Sequence, residues 1–108
     1  MDDQRASPQL RIEISGSHDA PVVFLVGEID LGGAAQLKTC LESQSGRVVV
    51  DLDGVTFMDS TGITAFVIAR KRLLASGGSI HLRSVPVRVQ QVLRIVGMAD
   101  WVIDDATS

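Results

Sequence analysis

Two apolar runs, VVFLV (Val22–Val26) and VVVDL (Val48–Leu52, broken only by the acid Asp51), constrain this chain more than any other feature. A strand that shows no polar alternation reads as one covered on both faces, which is the habit of parallel strands in α/β proteins. Each run leads through an acid into a helical pattern, Gly33 to Ser43 after the first and Thr61 to Ser76 after the second. In the first helix Ala34, Leu37 and Leu41 share a face with Cys40 beside them. In the second, Ile63, Phe66, Val67, Ile68, Leu73 and Leu74 form a broad apolar arc. Arg70-Lys71-Arg72 suit its C-terminal end, as a solvated face or a dock for an acidic partner, and Gly77-Gly78 stops it.

Alternating segments complete the pattern. LRIEIS (Leu10–Ser15) and SIHLR (Ser79–Arg83) alternate apolar and polar residues, as half-buried strands do. The first pairs with VVFLV as a hairpin across Gly16-Ser17-His18-Asp19, a connection longer than the tightest type. Pro86 opens a third helix to about Val96, and Asp100 to Ile103 reads as a last short strand or half-turn. The order β-β-α-β-α-β-α predicts an α/β fold: a small mixed sheet of about four or five strands flanked by three or four helices. Residues 1–8 are expected to form a flexible tail and residues 9–108 a single domain, which suits 108 residues.

Composition excludes several functions. Ten basic residues against thirteen acidic ones, net −3, leave no electrostatic footprint for nucleic acid. With 4% aromatic residues and no Tyr, platforms for stacking bases are absent and the core must be aliphatic. The lone Cys40 makes no internal disulfide and reads as a small core residue. No apolar stretch approaches the ~20 residues that span a bilayer, and the first ten residues are not a signal peptide. The expectation is a cytoplasmic protein that neither enters membranes nor binds nucleic acid, and that is monomeric when free.

The chemistry concentrates in FMDSTGI (Phe57–Ile63). Asp59 or Ser60 can cap the following helix, and Gly62 lets its first turn approach other groups closely. A helix N-terminus favours an anion, so a phosphate on Ser60 is locally tolerated while adding about two negative charges beside Asp59. Thr61 is the second hydroxyl, expected to bond locally. Asp51 and Asp53 bracket what reads as a turn at Asp53-Gly54. His18 and His81 lack metal-ligand spacing and read as solvent-facing, so no metal is expected. Trp101 reads as a lid on the core edge. No glycine-rich phosphate loop implies a cofactor. A hydrolase using Ser60 would need a base and an elbow motif that the sequence does not supply, so no enzyme is expected.

The string VVVDLDGVTFMDSTGITAFVIARKRL, together with GEID (Gly27–Asp30) and the closing VRVQQVLRIVGMADW, resembles the STAS family, in particular the bacterial anti-sigma factor antagonists. The resemblance runs from about Gln9 to Ile103. It implies that Ser60, the serine after the motif acid, is phosphorylated by a kinase that is itself the anti-sigma factor. It also implies that the unmodified form binds that factor and that a serine phosphatase restores it. Asp30, Asp59, Ser60, Thr61 and Gly62 are the expected partner-binding residues. Gly32-Gly33 depart from the family pattern, so the first helix is expected to begin late. Thr64 stands where the family often has Gly. An alternative within the same fold is a scaffold or regulatory subunit of a signalling, transporter or lipid-handling complex that is never phosphorylated.

Overall fold

The computed structural model describes residues 10–103; the tail expected at residues 1–8 lies outside them. The elements run β1 (Leu10–Ser17), β2 (Ala20–Ile29), α1 (Leu31–Glu42), β3 (Arg47–Met58), α2 (Ser60–Ala75), β4 (Ser79–Arg83) and α3 (Val87–Ile95). A 3-10 turn at Ala99–Trp101 follows, and Val102 then bridges Leu82 in parallel, so the closing segment is both of the expected things. The sheet order is β1-β2-β3-β4, with β1 antiparallel to β2 and the other pairs parallel. The expected order of elements and the mixed sheet both hold.

Val23, Leu25, Val48, Val50, Leu52, Ile80 and Leu82 form one core with Leu37 and Leu41 of α1, Phe66 and Leu73 of α2, and Val89 and Leu93 of α3. All three helices therefore cover the same side of the sheet. Among the described residues no helix covers the other side: Val22 and Phe24 are half-buried and Val26 is exposed. This corrects the reading of β2 and β3 as strands covered on both faces. Their second aliphatic row is shielded by neighbouring strands, with Val49 between Val22 and His81, and Asp51 between Phe24 and Arg83.

Other boundaries move for local reasons. β1 and β2 extend until only His18-Asp19 separates them, so the hairpin is tight. β3 continues six residues past Leu52, and Asp53-Gly54 is not a turn. Between Asp51 and Phe57 the strand takes two more residues than β2 does, which makes two bulges. Asp51 Oδ1 accepts from Asp53 N at 2.9 Å in the first bulge, while its Oδ2 accepts from Arg83 Nε at 2.9 Å. Phe24 lies under that guanidinium at 5.4 Å. α1 starts at Leu31 and not late, because Asp30 Oδ1 accepts from Gly33 N at 3.1 Å and caps it. A Cβ on Gly33 would collide with Glu28 O, so glycine lets the helix start hard against the end of β2.

The apolar arc of α2 is also rotated from expectation. Gly62, Ala65, Phe66, Ala69 and Leu73 face inward, while Val67, Ile68 and Leu74 are exposed. α1 presents Gly33 and Ala34 among its own inward residues, so small side chains on both helices allow a close crossing. Nor is the basic triplet simply a solvated face. Arg72 Nη2 donates to Leu41 O (2.5 Å) and Gln44 O (2.7 Å), closing the C-terminal end of α1. Arg70 stacks over the buried Trp101 at 5.0 Å, and among the described residues Lys71 makes no such contact. Cys40 is half-buried against the core, and burial pushes its thiol pKa up. His81 is half-buried, not solvent-facing; burial, then the charge of Arg47, pushes its pKa down.

Candidate functional site

β2 and β3 run parallel and end side by side, and each hands its chain to a helix through an aspartate. Asp30 caps α1 and Asp59 caps α2. The two ends are tied together by Asp59 N, which donates to Ile29 O at 3.3 Å. The carboxyl ends of parallel strands are where open α/β sheets place their sites. Here they bring Asp30, Asp59, Ser60, Thr61 and Gly62 into one locality.

Each of these residues has a distinct job. Asp59 Oδ1 accepts from Thr61 N at 2.9 Å and, in a very short bond, from Thr61 Oγ1. The Thr61 hydroxyl is thereby committed, as expected of a locally bonding residue. Ser60 is the first residue of α2 and is exposed. No described residue hydrogen-bonds its Oγ, while its carbonyl accepts from Thr64 Oγ1 at 3.0 Å. Gly62 is buried beneath that turn, where a Cβ would lie 2.7 Å from Ile29 Cγ2 and 2.8 Å from Met58 Cγ. Ser60 is thus the one uncommitted hydroxyl of the Ser60-Thr61 pair.

The Thr61 hydroxyl holds the Asp59 carboxyl below its ordinary pKa. Desolvation opposes this, and the backbone N–H groups of Thr61 and Gly62 reinforce it. A depressed carboxyl pKa contributes stability that is present above the unfolded value of about 3.9 and is lost as pH falls through the folded value. The cap is therefore expected to be complete at neutral pH and to weaken only below about pH 4. Acid unfolding of Thr61→Val compared with wild type checks this. The variant should lose the hydroxyl bond, and its Asp59 resonance should titrate at higher pH in an NMR titration.

Around Ser60 lie residues that sequence reasoning did not place in the site. Leu31, which follows the Asp30 cap, is 74% exposed and Phe57, at the end of β3, 47%; Val67 and Ile68 are exposed about two turns further along α2, where Ile68 lines a groove with Lys38, Glu42 and Arg72. Helix phase carries the signal for Leu31: the inward positions of α1 are Gly33, Ala34, Leu37 and Leu41, which turns Leu31 outward. The cations of α2 sit in its last two turns, and the charged residues at the paired ends of β2 and β3, Glu28, Asp30 and Asp59, are acidic. Neither histidine serves Ser60: His18 is in the hairpin turn and His81 Nε2 lies 3.1 Å from Ser79 Oγ. Among the described residues no set of His, Cys, Asp and Glu is placed to hold a metal, and no helix is long and apolar enough to cross a membrane.

A parallel-ended sheet with a capped, hydroxyl-bearing helix start defines a class, and the family comparison agrees with it. The STAS domain family matches residues 11–107, and the chain belongs to that family. Among its relatives, the anti-sigma-B factor antagonist of Bacillus subtilis (strain 168) is 30% identical over 102 residues, covering 92% of this chain and 94% of that protein. The anti-sigma-B factor antagonist of Listeria monocytogenes is 35% identical over 82 residues, 72% of each. In fold, the chain is similar to the anti-sigma factor antagonist SpoIIAA in its unphosphorylated form (TM-score 0.75, 20% identity, 89% of each chain). It is also similar to an anti-sigma factor antagonist from Mycobacterium paratuberculosis (TM-score 0.76, 18% identity, covering 94% of this chain and 92% of that one).

Proposed function

We propose that this protein is an anti-sigma factor antagonist, a non-enzymatic binding module whose contact surface centres on Ser60. The unmodified form engages an anti-sigma factor and frees the sigma factor. Phosphorylation of Ser60 by that factor's serine kinase activity releases it, and a serine phosphatase resets it. The full-length relatives of that name support the first part of this reading.

One observation carries the switch: an exposed, unbonded Ser60 hydroxyl at a helix start, bordered by exposed apolar side chains and acids. Leu31 and Phe57 give a partner apolar surface to cover, and a single neutral hydroxyl is cheap to desolvate there. A phosphate is tolerated by the helix N-terminus in the free protein. In the complex it must lose water beside Asp59 and Asp30 with no described cation bonded nearby. The fold stays and the docking fails. Asp30 and Asp59 combine capping with partner contact, Thr61 fixes Asp59, and Gly62 keeps the turn low.

The test is calorimetric titration of the anti-sigma factor recovered from source cells on wild-type protein. Ser60→Ala should bind as wild type does. Ser60→Asp should bind about 100-fold more weakly or worse, as expected for an uncompensated charge in an interface. Equal binding by Ser60→Asp and by the genuinely phosphorylated protein defeats the switch. If kinase and ATP add no mass to the chain, it is instead an unphosphorylated scaffold or regulatory subunit.

A further inference from the structure

We propose that two copies of this chain associate through β1, edge to edge and antiparallel, about a two-fold axis at Ile12. Among the described residues β1 is an edge of the sheet, paired with β2 alone. Gln36 Nε2 bonds Leu10 O at 3.2 Å; no other described residue takes up the strand's outer backbone groups. Such an edge is a template for another strand unless its side chains forbid pairing.

Here the side chains favour one pairing. An antiparallel strand centred on Ile12 sets Arg11 against Glu13 of the second copy, Glu13 against its Arg11, and Leu10 against its Ile14. Arg11 and Glu13 are both exposed, and neither has an ion-pair partner among the described residues. They lie opposite Val26 and Phe24 on the helix-free side of the sheet, so both new ion pairs fall on that open face. Leu10, Ile12 and Ile14 lie on the helix side, and Ile14, 52% exposed, gains a cover. Register is specified as well. Centring on Arg11 or Glu13 puts like charges opposite each other, and a shift of one residue mismatches the faces.

The helices allow the approach. α1 rests over β2 and β1. With strands about 4.8 Å apart, the two β2 strands stand about 14 Å from each other, and the two α1 helices between about 10 and 14 Å. Packed helices need about 8–10 Å. Leu10 pairs Gly27, at the end of β2 that leads to Asp30, so the antiparallel copy turns its Ser60 to the opposite end of the joined sheet. Association thus leaves both Ser60 sites open and does not depend on the reading of that residue. The sequence alone suggested a monomer; the edge pattern points to a self-associating chain.

Charge exchange tests it, with sedimentation velocity on the full chain as the readout. Wild type should dimerise reversibly. Arg11→Glu and Glu13→Arg should each weaken self-association about tenfold or more, since two attractive pairs become repulsive. An equimolar mixture of the two variants should restore the dimer, because the acids of one variant then face the bases of the other in both pairs. That arm also excludes misfolding as the cause of any loss. Ser60→Asp should associate as wild type does. The proposal is overturned by a wild type that stays monomeric at about 0.5 mM, by a dimer indifferent to both reversals, or by a mixture that fails to associate.

Discussion

Phe66→Ala is expected to lower stability by about 3–5 kcal/mol. Phe66 is the bulkiest of the fully buried side chains, and it sits in the core shared by the sheet and the helices. Its removal takes away the apolar transfer energy and leaves a hole that rigid strands below cannot fill. A domain of this size is typically stable by about 5–15 kcal/mol, so the variant should remain folded only in mild conditions. Urea unfolding should show a lower midpoint at unchanged slope, and heating should show Tm reduced by more than about 10 °C. The neighbouring Val67, exposed on the outer side of α2, should lose no more than about 1 kcal/mol on the same truncation. A loss below about 1 kcal/mol for Phe66→Ala would contradict the inward face assigned to α2.

Gly62→Ala should also destabilise, by about 1–3 kcal/mol, and here the sign is the test. In an ordinary helix the same change gains about 1 kcal/mol, because alanine holds helical backbone better than glycine. At Gly62 the added methyl meets Ile29 Cγ2 and Met58 Cγ well inside contact distance. Both of those side chains are buried, so neither can step aside freely. The first turn of α2 must lift, which moves Ser60 and strains the Asp59 cap. Urea midpoints decide the matter: an alanine variant more stable than wild type would mean that the turn is not packed as described.

Much of this arrangement was legible in the sequence, and the misses share a cause. Parallel strands followed by helices could be read from VVFLV and VVVDL because apolar runs and capping acids are local signals. Ser60 at a helix start could be read for the same reason. What escaped depends on neighbours distant in sequence. Asp53-Gly54 has turn chemistry, yet β2 lies alongside and turns it into a bulge, where a Cβ on Gly54 would lie 2.8 Å from Val26 Cγ2. The inward face of α2 could not be assigned from hydrophobicity, because crossing α1 selects Ala65 and Ala69 over Val67 and Ile68. Arg72 looked like a solvent-facing cation; only the fold brings the end of α1 to its guanidinium. The start of α1 is the exception, a local signal that was passed over: Asp30 looked like the end of a strand, and its bond to Gly33 N, three residues on, starts the helix at once.

The twin strand ends have a consequence for when the protein can be read at all. The surface around Ser60 is assembled from Asp30 and Leu31 of one crossover and Phe57 to Gly62 of the next, and Ile29 O holds Asp59 N to join them. A short peptide carrying FMDSTGI has the hydroxyl but none of that company. If the proposed partner reads this whole surface, a nascent or unravelled copy is invisible to it, and only finished molecules are counted.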